Sequence, residues 1–307
     1  PAPCFLRTHA ALRYKLPLWP RWGEISNKGY EFDVRVAACQ TKDWSVIFNF
    51  NLAHNKNRIE KISESLRAYN ERVQKMFEEN LMYNDPDRAL QTQPFLQYVE
   101  GGSMNSIFCV RSLGINPADG QEVFVSRNGQ LTKVWNASDQ VAVGTTEPKA
   151  QGTFGFNVAY KQFSLYTSFM YEGGGQRYNQ TLVDKVENAN LYSSNIDKRV
   201  FTSRWKNPGD KVDNPMPIYA NPYRWDRFSS RTIKSTDNIR LREMTVGYTL
   251  PVLKKHISNF RIYFRANNLA MLWSKTKNID PDVAINGYRQ ADTPALRSCV
   301  FGINIKL

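Results

Sequence analysis

Residues 298–307 read SCVFGINIKL, and from Cys299 onward they alternate without a break. Cys299, Phe301, Ile303, Ile305 and Leu307 fall on one face; Ser298, Val300, Gly302, Asn304 and Lys306 fall on the other. A strand of this length, apolar at every second position, has the period and reach of one that crosses a bilayer within a β-barrel. A half-buried edge strand of a soluble sandwich has the same period, so the reading depends on repetition.

Repetition is found along the chain. Phe260, Ile262, Phe264 and Ala266 alternate with Arg261, Tyr263, Arg265 and Asn267, and Met244, Val246, Tyr248 and Leu250 with Thr245, Gly247 and Thr249. Phe154, Phe156, Val158 and Tyr160 precede a two-residue step, after which Phe163, Leu165, Thr167, Phe169 and Tyr171 take the apolar face. Tyr30, Phe32, Val34, Val36 and Ala38 match Trp44, Val46, Phe48, Phe50 and Leu52. Seven strands result, at 28–39, 43–54, 153–161, 163–172, 238–250, 259–270 and 297–307, each near the length a tilted spanning strand needs.

The connections alternate too. Gln40–Asp43 and Lys161–Gln162 are tight turns and Pro251–Asn259 a modest one, whereas the other links run to dozens of residues. Short turns on one side and long loops on the other is the outer-membrane arrangement, with the short side periplasmic. Strand directions follow, and the C-terminus is expected on the periplasmic side. The fold class expected is therefore an all-β, antiparallel transmembrane β-barrel, of which this chain supplies about seven strands.

Composition agrees. No apolar run reaches the length of a transmembrane helix, and 13% Phe, Trp and Tyr suits aromatic girdles. The net charge of +13 is scattered through loops and polar strand faces, without a basic run or nucleic-acid motif, so no nucleic acid is expected as a partner. Cys4, Cys39, Cys109 and Cys299 lack metal-ligand spacing, and Cys39 and Cys299 read as packing residues on strands. His9, His54 and His256 are isolated, so neither a metal site nor a catalytic triad nor a cofactor is expected. Asp280, Pro281 and Asp282 read as a turn, and Gly173, Gly174 and Gly175 as the flexible start of a loop rather than a phosphate loop.

One loop carries helical period. Ile59, Ile62, Leu66, Val73, Phe77 and Leu81 recur at helix spacing and predict an amphipathic helix ending before Pro86. It either packs on the extracellular mouth or presents a face to a partner. Turn chemistry at Gly114–Gly120 (GINPADG) and Arg127–Gly129 (RNG) flanks Glu122–Ser126 and predicts a hairpin inside the excursion from 55 to 152.

Several segments together resemble a family. Ile239–Pro251 (IRLREMTVGYTLP), Phe260–Leu269 (FRIYFRANNL), Asn278–Pro281 (NIDP) and Phe301–Leu307 (FGINIKL) resemble the C-terminal signature of the SusC/RagA-like TonB-dependent transporters of Bacteroidota. Ile25–Glu31 (ISNKGYE), Phe48–Ile59 (FNFNLAHNKNRI), Val99–Ser106 (VEGGSMNS) and Gly114–Gly120 follow that family's order. The resemblance covers residues 24–307, the C-terminal part of a receptor barrel, and leaves 1–23 as an unmatched N-terminal segment.

The resemblance implies a barrel of about 22 strands around a plugged lumen, as in outer-membrane transporters. It further implies a SusD-like surface lipoprotein over the mouth, a TonB complex acting through an N-terminal part not matched here, and import of oligosaccharides or peptides without enzymatic chemistry. A truncated gene, a frameshift or an assembly boundary would each explain the missing strands. Seven strands do not close a barrel, and the segment alone is not expected to transport.

On this reading Glu31, Asp33, Arg35, Asn49, Asn51, Arg261, Arg265 and Asn267 face the lumen, and Phe32, Phe48, Phe156, Phe264 and Phe301 face outer-membrane lipid. Loop aromatics Trp135, Trp205, Tyr219, Tyr223 and Trp225 are placed either to stack on sugar rings or to pack the loops against one another. A secreted all-β carbohydrate-binding protein is the alternative, but its strands would not divide into short turns and very long loops. A glycosidase needs two facing carboxylates, and spacing nominates none.

Overall fold

The structure, a computed structural model, describes residues 5–9, 23–82, 98–179, 182–187, 189, 196–216, 229–251, 259–277, 280–281 and 296–306. Its largest element is one antiparallel sheet of eight strands: β1 (Phe5–His9), β2 (Glu24–Gln40), β3 (Trp44–Lys61), β8 (Ala150–Tyr160), β9 (Phe163–Gly173), β12 (Asn238–Leu250), β13 (Asn259–Ser274) and β14 (Ser298–Lys306). Within this sheet spatial order follows chain order, a meander interrupted between β3 and β8 and between β9 and β12 by strands that belong to other sheets.

All seven predicted strands are present. The eighth, β1, lies in residues 1–23, which the sequence resemblance leaves out: Phe5 pairs with Arg35 and His9 with Glu31. Five residues, FLRTH, are too short a run for period-two reading to register. Strands β2 and β3 also continue beyond the predicted limits, to Glu24 and Lys61. There the ribbon reads Asn55-Lys56-Asn57-Arg58, polar on both faces, so alternation fades although backbone pairing persists to Glu24 opposite Lys61.

Register places the predicted apolar positions on one face, apart from Ala38, which falls in a bulge of β2, and Leu307, which lies outside the described residues. A central row runs Val36, Phe48, Phe156, Thr167, Met244, Ala266, Cys299 through successive partners. Aromatic rows flank it. At the short-turn end the rings of Trp44 and Tyr160 meet at a tilt (centroids 4.4 Å apart), as do those of Phe163 and Tyr248 (4.6 Å), with the Lys161 ammonium 5.3 Å from the Tyr160 ring centroid. At the other end Tyr30 lies 4.8 Å from the His54 ring and Phe50 stacks on Tyr171. From Trp44 to His54 the strand rises roughly 33 Å, or roughly 25 Å across a bilayer at a tilt of ~40°, the height of an outer-membrane apolar band.

Turn residues make the meander possible. Lys161 takes a left-handed φ of 52° between β8 and β9, and its N–H donates to Asp43 O across to the neighbouring turn (2.8 Å). In β13, Asn268 has φ 52° where the register to β12 shifts between Leu241 and Glu243, so the second Asn of FRANNL forms a bulge. Asn tolerates this conformation because its short amide bonds locally: Oδ1 accepts from Arg242 (3.1 Å) and Nδ2 donates to Leu296 O (3.2 Å). Asn268→Val is expected to cost about 1–2 kcal/mol and Asn268→Gly much less, measured as the temperature at which the assembled barrel loses heat-modifiable migration.

The long excursion between β3 and β8 folds into a loop body that residues from the excursion between β9 and β12 complete. A helix, α1 (Glu64–Met82), is followed by a second sheet ordered β6 (Leu131–Thr132), β5 (Glu122–Val125), β4 (Ser106–Ile115) and β7 (Gln140–Thr145), and between β9 and β12 a two-stranded ribbon pairs β10 (Gln176–Tyr178) with β11 (Ile233–Ser235). The helix starts later than its apolar period predicts: Ile59 is still in β3, where its N–H donates to Gly102 O, and Ser63 caps the helix by accepting from Leu66 N (3.2 Å). Pro86 lies outside the described residues. The single hairpin expected around Glu122–Ser126 is one corner of this four-stranded sheet.

Candidate functional site

Two surfaces carry the polar chemistry: the polar face of the eight-stranded sheet, and the loop body at the long-loop ends of its strands. On the first, register brings the predicted residues together. Asp33 pairs with Asn51, Arg35 with Asn49, Arg261 with Thr249 and Arg265 with Thr245, while Glu31 and Asn267 lie on the same face in neighbouring rows. All eight predicted polar positions therefore share one face, opposite the apolar one. Their side chains knit laterally: Asn51 Nδ2 donates to Thr153 Oγ1 (2.8 Å), Asn267 Nδ2 to Ser298 Oγ (3.0 Å), and Arg265 pairs with Glu243 (3.1 Å).

The loop body is built around buried charge. Ile107, Phe108, Cys109, Val110, Phe124, Val183 and Val186 form its apolar centre. Beside them Arg231 bridges Glu122 (3.0 Å) and Glu187, each side chain 5–11% exposed, and Ser229 Oγ donates to Glu122 at 2.5 Å. Burial by itself lowers the Arg231 pKa, but the Glu187 and Glu122 carboxylates more than offset it and hold the guanidinium charged. Arg204 caps carbonyls of Val186 (3.2 Å) and Glu187 (3.1 Å). Burial also pushes the Cys109 thiol up to about 12, with the nearby Glu122 carboxylate adding to the shift.

Polar ties fasten this body to the sheet. The VEGGSMNS loop lies along β3, with Gly101 N donating to Ile59 O (2.8 Å) and Met104 N to Asn57 Oδ1 (2.8 Å). Asn55 Nδ2 donates to Glu147 (2.7 Å). On the other side Gly174 N donates to Asp237 Oδ1 (2.6 Å) and Thr236 N to Gly175 O (3.0 Å), so the three glycines expected to begin a flexible loop are pinned instead. Asp280, read as a turn residue, also pairs with Arg240.

The loop aromatics divide. Trp135 is 6% exposed and belongs to the body's core. Trp205 donates its indole N–H to Pro117 O (2.8 Å) and covers Gly120, where any Cβ would stand 2.5 Å from the ring. Tyr219, Tyr223 and Trp225 lie outside the described residues. Among those described, no cluster of His, Cys, Asp or Glu is arranged to hold a metal ion. What sequence reasoning missed is the Glu122–Glu187–Arg231 triad, whose members no local pattern connects.

No family model matches the chain. Individual proteins do. It is 24% identical over 319 aligned residues to TonB-dependent receptor P3 of Formosa agariphila, and 21% identical over 318 to that organism's TonB-dependent receptor P26, each alignment taking in 92% of this chain. The backbone superposes on a structure of the RagAB peptide transporter with a TM-score of 0.70, covering 92% of this chain at 21% identity. A RagAB peptide importer in its open-open state gives 0.70 over 98%. The chain is similar in sequence to TonB-dependent receptors and in fold to the RagAB transporter. It spans 29% of the length of these receptors and of the first RagAB chain. The eight-stranded sheet thus matches in fold a portion of the RagAB β-barrel, unclosed in itself, and the proteins it resembles are named as receptors and transporters.

Proposed function

We propose that this chain forms wall and extracellular cap of a TonB-dependent importer of oligosaccharides or peptides that works with a SusD-like surface lipoprotein. The observation carrying this reading is the two-faced sheet: an apolar face banded by aromatic rows roughly 25 Å apart, an opposite face of Asn, Arg, Asp and Glu, and short turns at one end only. The polar face lines the lumen, the short turns and the C-terminal strand end are periplasmic, and the loop body lies at the extracellular mouth. The peptide cargo of the RagAB transporter supports a peptide among the substrate classes. Energy comes from a TonB complex acting on another part of the receptor.

Two measurements test this. Cells in which the assembled receptor lacks this chain should lose energy-dependent uptake of a labelled peptide or oligosaccharide mixture; unchanged uptake of both overturns the importer reading. Phe156 and Asn157 are neighbours on opposite faces near the middle of the band. Phe156→Arg is expected to destabilise the barrel by about 2–4 kcal/mol, the cost of a lipid-facing cation near the midplane, and Asn157→Arg to be tolerated. Equal effects on heat-modifiable migration would reverse or abolish the assignment of faces.

A further inference from the structure

Three buried or half-buried arginines among the described residues are matched by carboxylates. Arg231 has Glu122 and Glu187, Arg240 has Asp280, and Arg265, four residues along β13 from Arg261, has Glu243. Arg261 is different. Its guanidinium is half-buried on the polar face near the short-turn end and, among the described residues, pairs with no carboxylate; Nη2 donates to Ser164 Oγ at 3.0 Å. The Ser164 hydroxyl in turn donates to Gly247 O (3.3 Å).

The seat for this guanidinium is made by a missing side chain. Gly247 lies between Arg261 and Ser164, and a Cβ there would stand 2.7 Å from Arg261 Nη2 and from Ser164 Oγ. Glycine weakens a strand interior and is found where another group must approach closely. Here the group is the guanidinium, which crosses β12 to reach β9. Beside it opens a shallow cavity of about 160 Å³ lined by Ser45, Asn157, Ser164, Tyr166 and Arg261, with no acidic side chain in its wall. A planar cation with hydroxyl and amide donors around it, all facing one small recess, matches a carboxylate, which accepts several hydrogen bonds and is bound in a fork by Arg.

We propose that the Arg261 recess binds a carboxylate. The group comes either from an acidic side chain of a protein segment filling the lumen or from a solute passing along it. The site rests on the polar face being lumenal, which the Phe156 and Asn157 pair tests separately.

The experiment uses outer-membrane vesicles carrying the assembled barrel. In one arm Arg261→Lys protein is treated with a carbodiimide, which converts a carboxylate into an O-acylisourea so that a neighbouring amine attacks its carbonyl, expels the urea and forms an amide; peptide mass spectrometry then identifies any carboxylate joined to position 261. In the other, the unaltered protein reacts with phenylglyoxal, and modification of Arg261 is compared with that of exposed Arg35 on the same face, with and without succinate. A cross-link to a protein carboxylate assigns the first source. Protection of Arg261 but not Arg35, by about threefold at twice the succinate dissociation constant, assigns the second. Gly247→Ala, which displaces the guanidinium while leaving the strand hydrogen bonds in place, should abolish whichever signal is found and leave heat-modifiable migration unchanged. Absence of both cross-link and protection overturns the proposal, as does a signal that survives Gly247→Ala.

Discussion

Replacing Arg231 with Ala should open the loop body while the barrel wall stays assembled. The substitution leaves Glu122 and Glu187, 5% and 11% exposed, facing each other without the cation that holds them. Removing one partner of a buried ion pair costs about 3–5 kcal/mol, chiefly through the uncompensated charge that stays behind. Cys109 supplies the readout. It is 1% exposed in β4 and its thiol is pushed up to about 12, so it resists alkylation while the body is closed. Peptide-resolved alkylation of Cys109 is expected to accelerate by about two to three orders of magnitude in Arg231→Ala protein, as the open fraction rises by that energy. The triple variant Arg231→Met, Glu122→Gln, Glu187→Gln should restore slow alkylation, because matched neutral groups carry no such penalty. If Arg231→Ala leaves the Cys109 rate unchanged, the triad does not hold the body together.

The triad also marks where the sequence stops being readable. Glu122 and Arg231 are 109 residues apart, and Glu187 is 44 from Arg231. Neither spacing has a period, and each residue alone reads as a solvated loop charge. The eight-stranded sheet is the opposite case. Phe156 and Asn157 declare their faces because pairing through β3, β8 and β9 repeats one two-residue rule, and one slip would turn every side chain over. Legibility failed at the ends of that rule. In β2 and β3 the strands outrun the apolar band, so Asn55 and Asn57 carry backbone pairing without alternation. In β13 the bulge at Asn268 shifts the register, and the predicted end at 270 falls short of Ser274.

The candidate site shows the same division. That Glu31, Asp33, Arg35, Asn49, Asn51, Arg261, Arg265 and Asn267 share a face follows from period two. That Arg265 is neutralised and Arg261 is not depends on whether Glu243 or Gly247 lies across the neighbouring strand, a matter of register rather than pattern. Trp135 and Trp205 looked equally available as loop aromatics, yet the fold of the second sheet buries one and ties the other to Pro117.

Expressed without other strands to complete the wall, the chain is expected to aggregate rather than yield a monodisperse barrel in detergent. The reason lies in its two sheet edges. Strand β14 pairs with β13 from Ser298 to Lys306 and, among the described residues, has nothing on its other side. At the opposite edge β1 pairs with β2 from Glu31 to Arg35 and, among the described residues, nothing else pairs with that side of β2. Alternate residues of β14 thus present roughly eight backbone N–H and C=O groups to hydrocarbon, each costing several kcal/mol without a partner. The sum exceeds the 5–15 kcal/mol net stability of an ordinary domain, so the isolated wall is expected to seek edge pairing with other copies. Those copies do not close neatly, because β1 offers five residues where β14 offers nine. Supplying the remaining strands as a second chain should recover heat-modifiable, monodisperse material by pairing both edges. Size-exclusion chromatography with light scattering decides it: a single well-defined species from the chain alone, whether monomer or ring, would show that its edges are satisfied and overturn the expectation.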